Sequence, residues 1–192
     1  MIDKSMDILQ KVIQKYLSYL SYLDMPAKDY VVMSPVVKAD GSIAIPDSYL
    51  GLSLVRIEEE RIVKSQNSYS ISQDGQVSKF NPEIKLNLYI LITANFSDYG
   101  TSLKFLSAVV KCFQSKNVFT PSNTPEMDPF LQKLIVELYT LNFEEQNHLW
   151  GALGAKYNPS LLYRVRLITL QEEQKLSDDS SIKKVEISSG SV

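Results

Sequence analysis

At 192 residues the chain is long enough for one well-buried core and short of the length at which cores usually divide. Hydrophobic residues at 44% and charged residues at 22% are ordinary globular values, which argue against general disorder and against a membrane-embedded fold. A net charge of −2, with twenty basic residues spread along the chain, lacks the electrostatic footprint of a nucleic-acid binder.

The first residues mix Asp3, Lys4 and Asp7 with apolar side chains, unlike a signal peptide. No run approaches the roughly 18 consecutive apolar residues of a membrane span. Folding in the cytoplasm is therefore expected. Ile2, Met6, Leu9, Ile13, Tyr16, Leu17, Leu20 and Leu23 recur three or four apart, which predicts an amphipathic helix docked on the protein's own sheet. Pro26 disfavours helix at Met25 and ends it. Residues 30–37 are rich in valine but broken by Pro35, which suits an edge strand or an extended arm.

Residues 50–63 form a long predicted strand, apolar first and charged later. Its Glu58, Glu59, Glu60 and Arg61 are either a solvated strand end or an acidic rim facing basic residues of a neighbouring subunit. Residues 64–82 are polar, with a hairpin possible around Asp74 and Gly75. From 83 to 96 every even position is apolar, the clearest strand in the chain; Tyr89 and Leu91 make both of its faces apolar in the middle, so it belongs in the centre of a sheet.

Ser97 is placed to cap the next helix, with Leu103, Leu106, Val110 and Phe113 as its buried stripe. Cys112 beside this stripe reads as a small core residue, and as the only cysteine it cannot form an internal disulfide. Three prolines between 120 and 129 make an extended connection, and 131–141 alternate as a strand. Asn142 and Glu145 form a capping-box pair; Phe143, Gln146, Leu149, Trp150 and Leu153 follow at helical spacing, and Gly154 stops the helix. Trp150, the only tryptophan, is either a core anchor or an aromatic anchor at a subunit contact.

After Pro159, Leu161, Tyr163, Val165 and Leu167 share one side of a strand, and Arg164 and Arg166 the other, where two guanidinium groups suit the carboxylates of another chain. Residues 1–170 thus make one domain of α+β class, a mixed, mainly antiparallel β-sheet flanked by helices, with extended loops. Residues 171–192 form a flexible or partner-ordered C-terminal arm whose strand-like run carries Lys183, Val185 and Ile187.

No catalytic, cofactor or metal motif is found. His148 is the only histidine, so motifs built on two are excluded, and one cysteine cannot supply a zinc deaminase's ligands. A Cys112/His148 hydrolytic dyad has no local oxyanion site to support it.

The segment from Glu144 through Trp150, Gly151, Gly154 and Tyr157, with Pro159, Ser160, Tyr163, Arg164, Val165 and Arg166 after it, resembles the signature of cap (tail-terminator) proteins of phage-tail-like contractile injection systems. The blocks Leu52, Ser53, Leu54, Val55, Arg56, Ile57, Glu58 and Leu86, Asn87, Leu88, Tyr89, Ile90, Leu91, Ile92, Thr93, Ala94, Asn95, with Leu103 to Ser107 beyond, are similar to the same family in the same order. The resemblance implies a non-enzymatic ring, hexameric to match its partners, that ends the inner tube and contractile sheath, without nucleic acid, cofactor or membrane insertion. It implies assembly in the cytoplasm and then residence in a particle that is released or membrane-anchored. Contacts are expected from Glu58, Glu60, Arg61, Trp150, Arg164 and Arg166, and from Lys183, Val185 and Ile187 by strand addition to sheath subunits. A baseplate or tube-initiating component, and a small Cys/His hydrolase, are the rival readings.

Overall fold

The computed structural model describes residues 1–20, 29–60, 69–71, 76–79, 85–128, 131–169 and 177–180. Helix α1 (Ile2–Ser18) leads to the short strand β1 (Val31–Met33) and the long strand β2 (Tyr49–Glu59). Strands β3 (Tyr69–Ile71) and β4 (Gln76–Lys79) follow, then β5 (Lys85–Asn95), helix α2 (Tyr99–Ser115), β6 (Val118–Phe119) and β7 (Leu131–Tyr139). Helix α3 (Phe143–Leu153), β8 (Ser160–Thr169) and β9 (Ser177–Ser180) complete the described elements. The class is α+β, as expected.

Six strands form the main sheet in the order β1-β2-β5-β8-β7-β6. Only β1 and β2 run parallel; the other neighbours are antiparallel. β5 is central, and its residues from Asn87 to Ala94 are all buried. Its even positions Leu88, Ile90, Ile92 and Ala94 join the main core under α1 and α2, while Tyr89 and Leu91 join a second cluster on the opposite face, with Trp150 of α3 and Leu162. One strand therefore anchors both layers, which is why its alternation is softened in the middle.

Helix α1 ends at Ser18, short of the residue-23 limit expected, and its last turn closes through Tyr19 N–H to Tyr16 and Leu20 N–H to Leu17. Residues 21–28, with Pro26, lie outside the described set. β1 stops two residues before Pro35, whose missing N–H cannot extend a ladder. On α2 the cap is Asp98 rather than Ser97: the Asp98 carboxylate accepts from Thr101 N–H at 2.7 Å. The helix is also rotated from expectation. Phe105, Leu106, Ala108, Val109, Cys112 and Phe113 are buried, whereas Leu103 and Val110 are exposed.

The polar stretch after β2 contains the hairpin β3–β4, with Ser70 opposite Ser78. β9 adds to β4 to make a second sheet of three strands, so residues 177–180, expected to belong to a flexible or partner-ordered arm, pair within the chain. The expected strand at 182–187 lies outside the described residues. β6, a two-residue strand that sequence did not anticipate, pairs with β7 through Val118 opposite Ile135 and Phe119 opposite Leu134.

Candidate assembly interface

On the face of the main sheet opposite α1 and α2, cross-strand register sets two polar rows, since residues paired across strands share a face. Arg56, Tyr89, Arg164 and Glu137 lie opposite one another across β2, β5, β8 and β7. Glu58, Asn87 and Arg166 form the neighbouring row. A shift of register between Leu54 and Arg56 turns Arg56 and Glu58 onto this face, changing the β2 pattern from apolar to charged.

The rows are tied together by charge. Arg164 donates to Glu137 at 2.8 Å and Arg166 donates to the other oxygen of the same carboxylate. Hydrogen bonding from Arg164 is the main reason the Glu137 carboxyl is held below the usual glutamate range, with Arg166 adding to it against some desolvation. The same contact raises Arg164. Between β5 and the end of β2, Tyr89 donates its hydroxyl to Glu58 at 2.8 Å and Asn87 donates to Glu60 at 3.0 Å, while along β2 itself Arg56 donates to Glu58 at 3.2 Å. Arg56 also lies over the Tyr89 ring, 5.3 Å from its centre. Tyr89 is pushed up chiefly by burial and then by its bond to Glu58.

The expected contact residues Glu58, Glu60, Arg164 and Arg166 are thus brought onto one surface, each already engaged within the chain. Asn87 Oδ1, Arg164 Nε and Arg166 Nε are buried and have no hydrogen-bond partner among the described residues. Arg61, Lys183, Val185 and Ile187 lie outside the described residues. Sequence reasoning missed Glu137, Tyr89 and Asn87. Parity along each strand could have put them on one face, but the register that makes them neighbours is a long-range property.

Helix α3 sits beside this polar surface, started by the predicted capping box and ended by Gly154 at φ 66°. Trp150 is its one buried side chain, packed against the second cluster and meeting Tyr157 edge to face at 5.6 Å. Phe143, at the other end of the helix, is 91% exposed. An opening of about 190 Å³ between helix and sheet is lined by Leu91, Tyr139, Leu149, Trp150, Tyr157 and Leu162.

The hydrolytic dyad is not assembled. Cys112 is buried among the main-core side of α2, its thiol pushed up to about 12 by desolvation, while His148 belongs to α3 on the other side of the sheet. Among the described residues no cluster of His, Cys, Asp and Glu is suited to a metal ion, and no helix is long and apolar enough to cross a membrane.

A family model described as the Pvc16 N-terminal domain matches residues 6–183. The chain belongs to the Pvc16 N-terminal domain family. No curated protein sequence matches it. Among solved structures, the Pvc16-type fold is shared with the sheath/tube terminator of an extracellular contractile injection system, PVC, in its extended state, at TM-score 0.67 and 12% identity. It is shared too with the tube-terminating cap of the anti-feeding prophage, AFP, at TM-score 0.62 and 13% identity. These superpositions cover 100% and 98% of this chain but 64% and 61% of the others, so the chain spans a little over three fifths of the length of those neighbours.

Proposed function

We propose that this protein is a structural cap of a contractile injection system, a terminator that seats on the end of the inner tube and sheath and stops further subunit addition. The observation that carries the reading is the fold match along the entire chain to a sheath/tube terminator, joined to membership of the Pvc16 N-terminal domain family. A surface of paired charges supports it: three arginines and three glutamates, Arg56, Arg164, Arg166, Glu58, Glu60 and Glu137, gather on one sheet face around a buried tyrosine and asparagine. Mixed charge of this kind selects register and partner more than it adds raw affinity. Copies form a ring, sixfold in step with tube and sheath, and the C-terminal arm engages sheath subunits by strand addition. Assembly takes place in the cytoplasm, without a catalytic step.

Purified particles imaged with this chain labelled test the proposal. A cap gives one labelled end, and its deletion gives overlong or unstable sheaths. Label along the whole cylinder, or absence of any sheath after deletion, overturns the cap and favours an initiating component instead.

A further inference from the structure

Strand β7 is only partly covered on its outer side. β6 pairs with it at Leu134 and Ile135, and Val136 N–H reaches Asn117 C=O, so the even positions of β7 turn their backbone groups away from β8. Leu138 has the same parity and presents its N–H and C=O outward, and among the described residues no strand lies beside it. Leu138 pairs with Tyr163, which pairs with Ile90 of the central strand, so this open backbone lies at mid-sheet.

Each face of the edge has an opening, and Leu138 lines both. On the α2 side a groove of about 340 Å³ runs past Val110, Phe113, Gln114, Leu138 and Tyr163. On the α3 side lies the opening of about 190 Å³ with Tyr139, Leu149 and Trp150. Leu138 is 54% exposed and Val110 36%, so apolar side chains flank the edge without a cover. Tyr163 is only 3% exposed, yet its hydroxyl makes no hydrogen bond to the described residues, whereas a buried phenol ordinarily has a partner. Desolvation pushes that hydroxyl up to about 12, which keeps it a donor.

We propose that the open edge of β7 receives an extended segment of another protein, antiparallel to β7, with a glutamine facing the α2 groove and an apolar residue just before it facing the α3 opening. Unpaired backbone with a slot on either face is the arrangement that strand addition uses: the main chain binds, and alternate side chains are selected. The residue opposite Leu138 exchanges both backbone bonds with it and shares its face, which is the face of Val110 and Tyr163. A side chain there needs an apolar stem and a terminal acceptor for the Tyr163 hydroxyl. The one charged residue lining the groove is Glu137, so a carboxylate would enter without a counter-charge, and the neutral amide oxygen of glutamine fits. The residue before it lies opposite Tyr139 and turns toward Leu149 and Trp150, which calls for an apolar side chain. A second copy has no such pair to lend. Among the described residues an apolar residue precedes glutamine at Leu9-Gln10, Ile13-Gln14, Phe113-Gln114 and Leu131-Gln132, all held in α1, α2 or β7 itself. The inference goes beyond the cap reading and does not depend on it.

The test titrates the full-length protein with a short capped peptide of alternating Thr and Val that carries Leu-Gln at its centre, following the emission of Trp150, the only tryptophan. A saturable change with a dissociation constant below about 1 mM is expected. Replacing the peptide's Gln by Leu should weaken binding about five- to tenfold, and with Tyr163→Phe, which keeps the ring and removes the hydroxyl, the two peptides should bind alike. Leu138→Pro, which deletes the outward N–H, and Val110→Glu, which charges the groove, should each abolish the change while circular dichroism stays native. Absence of a saturable change, an undiminished preference for Gln in Tyr163→Phe, or binding unaltered by both Leu138→Pro and Val110→Glu overturns the proposal. Self-association of the protein that Val110→Glu abolishes would give the edge to a second copy and overturn it too. Because the titration contains no tube or sheath, its result leaves the cap assignment to be judged by particle imaging alone.

Discussion

Tyr89 donates its phenolic hydrogen to Glu58 at 2.8 Å across the seam between β2 and β5, so a residue expected to face a neighbour already has a bond inside its own chain. Two roles can be separated by substitution. Glu58→Gln keeps an acceptor for Tyr89 and weakens only the exposed contact with Arg56, so it should cost about 1 kcal/mol of stability or less. If copies assemble as proposed, Glu58→Lys with Glu60→Lys should shift the assembly to smaller species in analytical ultracentrifugation; an unchanged oligomer for the double variant removes the acidic rim from the interface.

Glu137 is the hub of the arginine pair, and its removal leaves two guanidinium groups side by side. With the carboxylate about one third exposed, Glu137→Gln is expected to cost about 1–2 kcal/mol, measured by urea denaturation. The sign with pH follows from the lowered carboxyl. A group depressed on folding stabilises above its unfolded pKa and loses that contribution as pH falls through its folded one. Wild type should therefore lose stability below the ordinary glutamate range, and Glu137→Gln should lose less over the same window.

Trp150 tests whether α3 is anchored to its own sheet. As the only tryptophan it should show blue-shifted emission in the folded monomer, and Trp150→Ala should cost about 3–5 kcal/mol as a core deletion. Native stability with impaired assembly would instead make it a subunit anchor.

The ends of α3 are expected to matter by smaller amounts. Asn142 and Glu145 satisfy each other's backbone N–H groups at 2.9 and 3.0 Å, and Asn142→Ala should cost about 1 kcal/mol in thermal or urea melts. Gly154→Ala forces a side chain onto a φ of 66° and should cost about 1 kcal/mol as well. Equal stability of either variant would mean that the helix end is not held as described.

These two caps were legible in sequence because capping is local, set by residues three apart. β5 was legible because alternation over a dozen positions has no helical equivalent. The stripe of α2 was displaced because Leu103 and Val110 are as apolar as Phe105 and Val109; periodicity counts apolar residues and does not say which of two adjacent faces the sheet will take. β6 and β9 went unseen because two residues, Val118–Phe119, are too few to show alternation and Ser177–Ser180 is a polar run of poor strand formers, so each is a strand by virtue of the partner beside it. For the polar surface, parity set Arg164 and Arg166 on one side, but their meeting with Glu137 depends on register between β7 and β8.

Helix α3 has one consequence of its own. A helix with one fully buried side chain, Trp150, and only Gln146, Leu149 and Leu153 partly covered beside it, can lift from the sheet at a fraction of the free energy needed to unfold the chain. Its amides should exchange with deuterium well before those of β5, and whatever settles on Phe143 would slow them, making this corner of the molecule a gauge of occupancy.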